Sequence, residues 1–436
     1  MVPIELYTNA PNTVVLPIPT PDKVDRLAYL KRHLGDKHPH LDFIADLTDG
    51  LFLRDLDKVV APLSNGAHLS NGEVRRVVNK YRIGEQEDYW GTLSIERLEE
   101  APDWFKGAGG VKGQEEAIHK VVNTLCVARA GLSGLASGKG AKPKGVLFFA
   151  GPSGVGKTFM AKKLAEFLFG TEEAFLRFDM SEFKEEHTVS KLIGSPPGYV
   201  GYERGGMLTT VVGQRPFSVI LFDEVEKAHP KIMDIFLQIL DDGRLTDSRG
   251  QTVFFTETVI IYTSNLGTRT TDSRSLPVDE RRELDAIVND DSLSNEAKKA
   301  AIRQHFTHAV ERFFMVELSR PELLNRIGNN IVPFNYIHTP AIQMDIVRSH
   351  LQRIKGDFED KKRANGHRLE YDDDVAQWLV QKYDERIRLF GGRGITNAIE
   401  DEIMVRLARP VLGAEHRERQ EVTFHVRLSH HDIVVD

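Results

Sequence analysis

Residues Gly151-Pro152-Ser153-Gly154-Val155-Gly156-Lys157-Thr158 put three glycines, a lysine and a hydroxyl in the order that cradles phosphate. The glycines let successive backbone N–H groups point into one concavity, and a helix N-terminus following them adds partial positive charge. Lys157 is then placed for the β- and γ-phosphates of ATP, and Thr158 for a Mg²⁺ ion. Farther along, Asp223 and Glu224 end an apolar run. Asp223 there would hold Mg²⁺ through water, and Glu224 would orient and polarise an attacking water. Asn265 ends the next such run. Its amide can hydrogen-bond the attacking water or the γ-phosphate, although an asparagine after a strand is otherwise a turn former. Between these groups lies Gly198-Tyr199-Val200-Gly201, preceded by Pro196 and Pro197. An aromatic between glycines reads as the tip of an exposed loop. ATP chemistry beside an aromatic loop points to a machine that pulls on something.

The surrounding pattern supplies the elements that such groups need. Val146–Ala150, Phe175–Phe178, Ser218–Phe222 and Thr258–Thr263 are short apolar or β-branched runs, typical of buried parallel strands, with Ile331–Phe334 a weaker fifth. Helical segments at Thr158–Phe169 and Lys231–Leu240 separate some of them. The expected fold is α/β, a phosphate-loop NTPase with a parallel sheet and helices on both faces. A helix is expected from about Gln114 to Ala130, after a Gly-rich hinge at Lys106–Gly110. Residues 268–318 are highly charged and read as surface helices with a long loop. Residues 337–436 read as a smaller α/β lid domain ending in a strand pair. The expected organisation is a mainly helical region 1–105, a large ATPase domain 106–336 and the small domain 337–436.

Bulk properties bound the partners. The chain has 436 residues, too many for one core. A net charge of -7 argues against a nucleic-acid protein whose affinity rests on a basic surface. The single cysteine, Cys126, precludes an internal disulfide and fits a reducing compartment. The N-terminus lacks the pattern of a secretory signal, and no apolar run is long enough to span a membrane. A cytoplasmic location is the expectation. The pairs His38/His40 and His430/His431 lack metal-site spacing and read as solvated.

From about Val111 onward the chain resembles the Clp-type AAA+ unfoldases, in particular the second ATPase module of the ClpA/ClpB/ClpC group. The words that carry the resemblance are VKGQEEAI, ARAGL, GPSGVGKT, FDMSEF, KLIGSPPGYVGYERGGMLT, VILFDEVEKAHP, LQILDDGRLTD, TSNLG, PELLNRI and GGRGITNAIE. The resemblance implies roles that spacing alone does not. Tyr199 matches an axial pore-loop aromatic that grips a translocating polypeptide. Arg326 matches the arginine finger that reaches a neighbouring subunit's ATP. Arg393 matches a second sensor on the small domain that contacts nucleotide. A homo-hexameric ring acting on unfolded or assembled proteins is implied with them. Gly328 and Ser319-Arg320 depart from the family pattern. Residues 267–318 contain no apolar-Gly-apolar tripeptide of the kind that docks the ClpP peptidase, so no ClpP docking is expected.

The first hundred residues fit less well. Val14–Pro17, Pro21-Asp22 with Arg26, and Ile44–Leu56 resemble the end of another AAA+ module, while an unrelated helical adaptor domain remains the alternative. Two other readings of the whole share the ATPase fold: a nucleic-acid motor, against which the Gly-Tyr-Val-Gly loop argues, and a slow ATP-dependent switch, against which Glu224 argues.

Overall fold

A computed structural model describes the chain except for residues 1–20, 49–50, 65–68, 70–72, 75–76, 79, 81–88, 135–141, 196–204, 271–278, 291, 338, 363–364, 418–419 and 431. Contacts divide it into two compact units, one of residues 1–91 with 134–142, the other of 92–133 with 143–436. The segments Val14–Pro17 and Gly198–Gly201 and the residue His431 lie outside the described residues.

In the second unit, β1 (Gly145–Ala150), β2 (Phe175–Asp179), β3 (Val219–Asp223), β6 (Val259–Ser264) and β7 (Ile331–Pro333) form one parallel sheet in the order β2-β3-β6-β1-β7. Helices flank this sheet. β3 and β6 are buried along their whole length, which explains their unbroken apolar runs. β4 (Arg244–Thr246) and β5 (Thr252–Phe254) make a separate antiparallel hairpin. A second sheet, ordered β10-β9-β8, joins β8 (Arg368–Tyr371), β9 (Thr423–Ser429) and β10 (Asp432–Val435). It packs into its own core with Leu351, Leu379, Ile395 and Phe424.

Three segments differ from their sequence reading. Residues 268–318 are more than surface. The helix Asn295–Arg312 buries Ile302, Phe306, Ala309 and Val310 in the main core, followed by Phe313 and Phe314. Their three- and four-residue spacing is masked in the sequence by the intervening charges. Lys106–Gly110 lies within the second unit, the unit boundary falling instead near Gly91. Trp104 and Phe105 pack their rings at a tilt against Phe167, and a Cβ on Gly109 would sit 2.9 Å from the carbonyl oxygen of Phe105. His38 and His40 are half-buried rather than fully solvated: His40 Nε2 lies 2.6 Å from the Leu69 carbonyl, and the His40 N–H donates to His38 Nδ1.

The first unit is helical where described, with Lys23–Leu34, Leu41–Leu47 and Leu53–Leu63. Asp22 caps the first helix by accepting from the Asp25 N–H. Arg26, buried, donates to the carbonyls of Ala45 and Pro21.

Candidate functional site

The sheet order explains the site. β1, β6 and β3 are neighbours and parallel, so the segments leaving their C-terminal ends meet at one edge. The Gly151–Thr158 loop leaves β1, Asn265 follows β6, and Asp223 and Glu224 end and follow β3.

The loop has the conformation that its glycines permit. Gly154 and Gly156 take φ of +80° and +100°, and Gly156 precedes the helix Lys157–Phe169. Val155 is buried and ties the loop to the core. Gln114, itself buried, donates to the Val155 carbonyl at 3.2 Å and to the Asn335 carbonyl at 3.0 Å. It thereby pins the loop to the exit of β7.

Lys157 is buried and donates to the carbonyls of Gly151 (2.6 Å) and Pro152 (2.8 Å) and to Asn265 Oδ1 (3.0 Å). Burial lowers its pKa to about 8, against the opposing pull of Glu226, Asp223 and Glu224. Thr158 Oγ1 stands 3.5 Å from Asp223 Oδ2. Two hard oxygen donors facing one another suit Mg²⁺, which takes few protein ligands and keeps water. The same Asp223 oxygen accepts from Arg177 Nε at 2.8 Å, and Thr263 Oγ1 donates to the other oxygen. Arg177, also paired with Asp179, is thus a competing cation for the carboxylate.

Glu224 is one of four described non-glycine residues with positive φ, at 57°. An outlier of this kind concentrates at functional sites. Glu224 Oε1 accepts from Asn265 Nδ2 at 2.9 Å, and Oε2 pairs with Lys227 at 2.5 Å. Asn265 therefore bridges Lys157 and Glu224.

The small core contributes the facing wall. Arg393 Nη1 donates to Ser153 Oγ at 3.1 Å, and the Gly392 N–H donates to the Gly154 carbonyl at 2.8 Å. This approach requires glycine on both sides: a Cβ on Gly154 would lie 2.1 Å from the Phe390 carbonyl oxygen, and one on Gly391 would lie 2.7 Å from that of Gly154. The resulting cleft measures about 1400 Å³ and is lined by the Ser153–Thr158 part of the loop, Asp223, Glu224, Asn265, Arg393 and the Gly107–Lys112 segment. His350 also lines it, with Nδ1 3.4 Å from Thr396 Oγ1. Burial, with the nearby charge of Arg353, pushes its pKa down to about 4.

Arg326 stands apart. It lies on the helix Pro321–Ile327, outside the cleft lining, and pairs with Asp241 at 2.6 Å. Arg320 pairs with Asp234 at 2.9 Å on the same helix as Asp241, Pro230–Asp242. Sequence reasoning missed Gln114, Arg177, Glu226 and His350. Gln114 and Glu226 sit inside words already singled out, VKGQEEAI and VILFDEVEKAHP, and Arg177 immediately precedes FDMSEF, so their proximity to the site was the available signal.

A phosphate-binding loop after β1 of a parallel sheet, two carboxylates at the end of β3, and a small domain facing them define a nucleotide site of the AAA+ class. The family profile of the AAA domain (Cdc48 subfamily) matches residues 142–330, and that of the C-terminal, D2-small domain, of ClpB protein matches residues 340–424. Chaperone protein ClpB of Agrobacterium fabrum is 38% identical over 361 residues, 83% of this chain and 36% of the relative. Chaperone protein ClpB4, mitochondrial, of Arabidopsis thaliana is 35% identical over 415 residues, 92% of this chain and 39% of the relative. Chaperone protein ClpB 1 of Synechococcus elongatus is 41% identical over 302 residues, 69% and 30% respectively. The chain belongs to the Clp-type AAA+ ATPase family. It spans 30 to 39% of the length of these relatives.

Proposed function

We propose that the chain is an ATP-driven protein-remodelling motor that works as a ring, a homo-hexamer, and threads polypeptide through the ring's pore. The observation that carries this reading is the convergence of Lys157, Thr158, Asp223, Glu224, Asn265 and Arg393 on one cleft. Lys157 and the N–H groups of the Gly151–Thr158 loop bind the phosphates of ATP. Thr158 and Asp223 are the residues that would hold Mg²⁺, which would neutralise phosphate charge. Glu224, once released from Asn265, orients and polarises the attacking water. Arg393 reads the nucleotide from the small domain, so that hydrolysis changes the angle between the two cores.

Arg326 fits a finger acting in trans. It is removed from its own cleft, half-exposed, and held by Asp241. Charge stabilisation in trans makes the ring a requirement of hydrolysis. Tyr199, between Gly198 and Gly201 with Val200, is the residue that grips the client. The clients are unfolded or assembled proteins, in keeping with the chaperone names of the relatives. Among the described residues no helix is long and apolar enough to cross a membrane; a cytoplasmic location is part of this proposal. The alignment covering 92% of the chain extends into residues 1–105, so part of that region also resembles the ClpB relative; we read it as the end of an AAA+ module.

The test is Glu224→Gln. Nucleotide binding should persist while turnover falls by about 10² or more, because the residue acts on the water and only weakly on bound ATP. Turnover at the wild-type rate would remove Glu224 from the reaction.

A further inference from the structure

The turn after β3 carries a third carboxylate, Glu226, for which the proposed reaction has no use. The left-handed backbone at Glu224, φ 57°, reverses the chain sharply, and Val225–Lys227 form one 3₁₀ turn whose Val225 is anchored in the core. This brings Glu226 back beneath the end of β6. Its Oε1 accepts the Asn265 N–H at 3.0 Å. Its Oε2 is buried without a hydrogen-bond partner.

Asn265 lies one residue past β6, where the ladder no longer supplies a partner for its N–H. Its side chain nevertheless has to present both ends accurately, the carbonyl to Lys157 Nζ at 3.0 Å and the amide to Glu224 Oε1 at 2.9 Å. Glu224 and Glu226 thus hold one residue from two directions, the side chain by the first and the backbone by the second. Polar groups of this kind lose function when their supporting contacts loosen by as little as about 1 Å.

We propose that Glu226 is a positioning residue for ATP hydrolysis, acting through the backbone of Asn265. The proposal rests on the ATPase reading of the cleft. It requires an acceptor at Oε1 and no negative charge. Burial holds the Glu226 carboxyl above the usual carboxylate range, which agrees with that requirement. Glutamine keeps the acceptor; alanine and leucine do not. Leucine also fills the space that alanine leaves empty.

The experiment measures kcat and the Kd for ATP in Glu226→Ala, Glu226→Leu, Glu226→Gln, Asn265→Ala and the Glu226→Ala/Asn265→Ala double variant, with thermal melting alongside. The expected result is a loss in kcat of about tenfold or more for Ala and Leu, with Kd held within about threefold, and a kcat within about threefold of wild type for Gln. The double variant should be no slower than Asn265→Ala alone. Wild-type kcat in Glu226→Leu, a loss of affinity matching the loss of rate, or a Gln variant as slow as Leu would overturn the proposal. Hydrolysis at the wild-type rate in Asn265→Ala would instead remove the part of Asn265 in hydrolysis on which the proposal stands. A slow Asn265→Ala with a normal Glu226→Leu would reject Glu226 alone.

Discussion

The perturbed lysine gives the most quantitative test of the nucleotide site. Lys157 is buried among backbone carbonyls, and desolvation brings its pKa to about 8, with the charges of Glu226, Asp223 and Glu224 opposing the fall. Bound phosphates favour the charged form, so its pKa is higher in the complex than in the free protein. ATP binding then takes up a proton wherever free Lys157 is deprotonated, and affinity falls as pH rises through about 8. Roughly nine in ten lysines are charged at pH 7 and about one in ten at pH 9, so Kd should rise about tenfold across that interval, ~1.4 kcal/mol. The phosphates themselves are already about nine-tenths ionised at pH 7, their last pKa being about 6, and their remaining ionisation would strengthen binding as pH rises, opposite in sign to the lysine effect. Titration of a fluorescent ATP analogue at pH 7, 8 and 9 at constant Mg²⁺ and ionic strength reads this directly. Lys157→Arg is the control. A guanidinium stays charged throughout, so its Kd should be weaker overall yet flat with pH. A flat wild-type profile, or an equal slope in Lys157→Arg, would refute the argument.

Other outcomes follow from the same geometry. Arg326→Ala should cripple hydrolysis with ATP affinity within a few-fold; mixing it with Glu224→Gln subunits should restore part of the rate, and no rescue in verified mixed rings would count against a finger in trans. Phe306→Ala should cost about 3–5 kcal/mol in denaturant unfolding, because Phe306 is fully buried in the main core; a loss under about 1 kcal/mol would return residues 295–312 to the surface. Co-sedimentation with the cognate ClpP in ATPγS should fail, since residues 267–318 contain no apolar-Gly-apolar anchor; stable binding with degradation of a tagged client would contradict this.

The parallel sheet was legible because β1, β3 and β6 are buried on both faces and so read as continuous apolar runs. The phosphate loop was legible because glycine spacing and a following lysine and threonine are demands of the phosphate itself. What spacing could not show is contact between distant segments. Arg177 meets Asp223 across two paired strands, and Gln114 reaches Val155 and Asn335. Each is an ordinary polar residue until the fold brings it there. The closeness of Gly154 to Phe390 and Gly391 is of the same kind, a steric demand made by a partner 236 or more residues away. The buried face of Asn295–Arg312 was hidden for a different reason: polar and charged residues outnumber apolar ones in that helix, so composition outweighed periodicity. The Glu280 carboxylate, fully buried and bonded to Arg269, Arg312 and the Gly267 N–H, likewise read as one more surface charge. Those partners hold its carboxyl down at about 2, against the effect of burial.

The central claim is that ATP hydrolysis drives polypeptide through a pore gripped by Tyr199. Its most direct test is ATP-dependent unfolding of a fluorescent, tagged client by wild-type and Tyr199→Ala protein, with ATPase rates and ring assembly measured on the same samples. The account predicts intact rings and an ATPase rate within about twofold of wild type, with client unfolding reduced by about tenfold or more. Unfolding that persists in Tyr199→Ala with hydrolysis unchanged would contradict it.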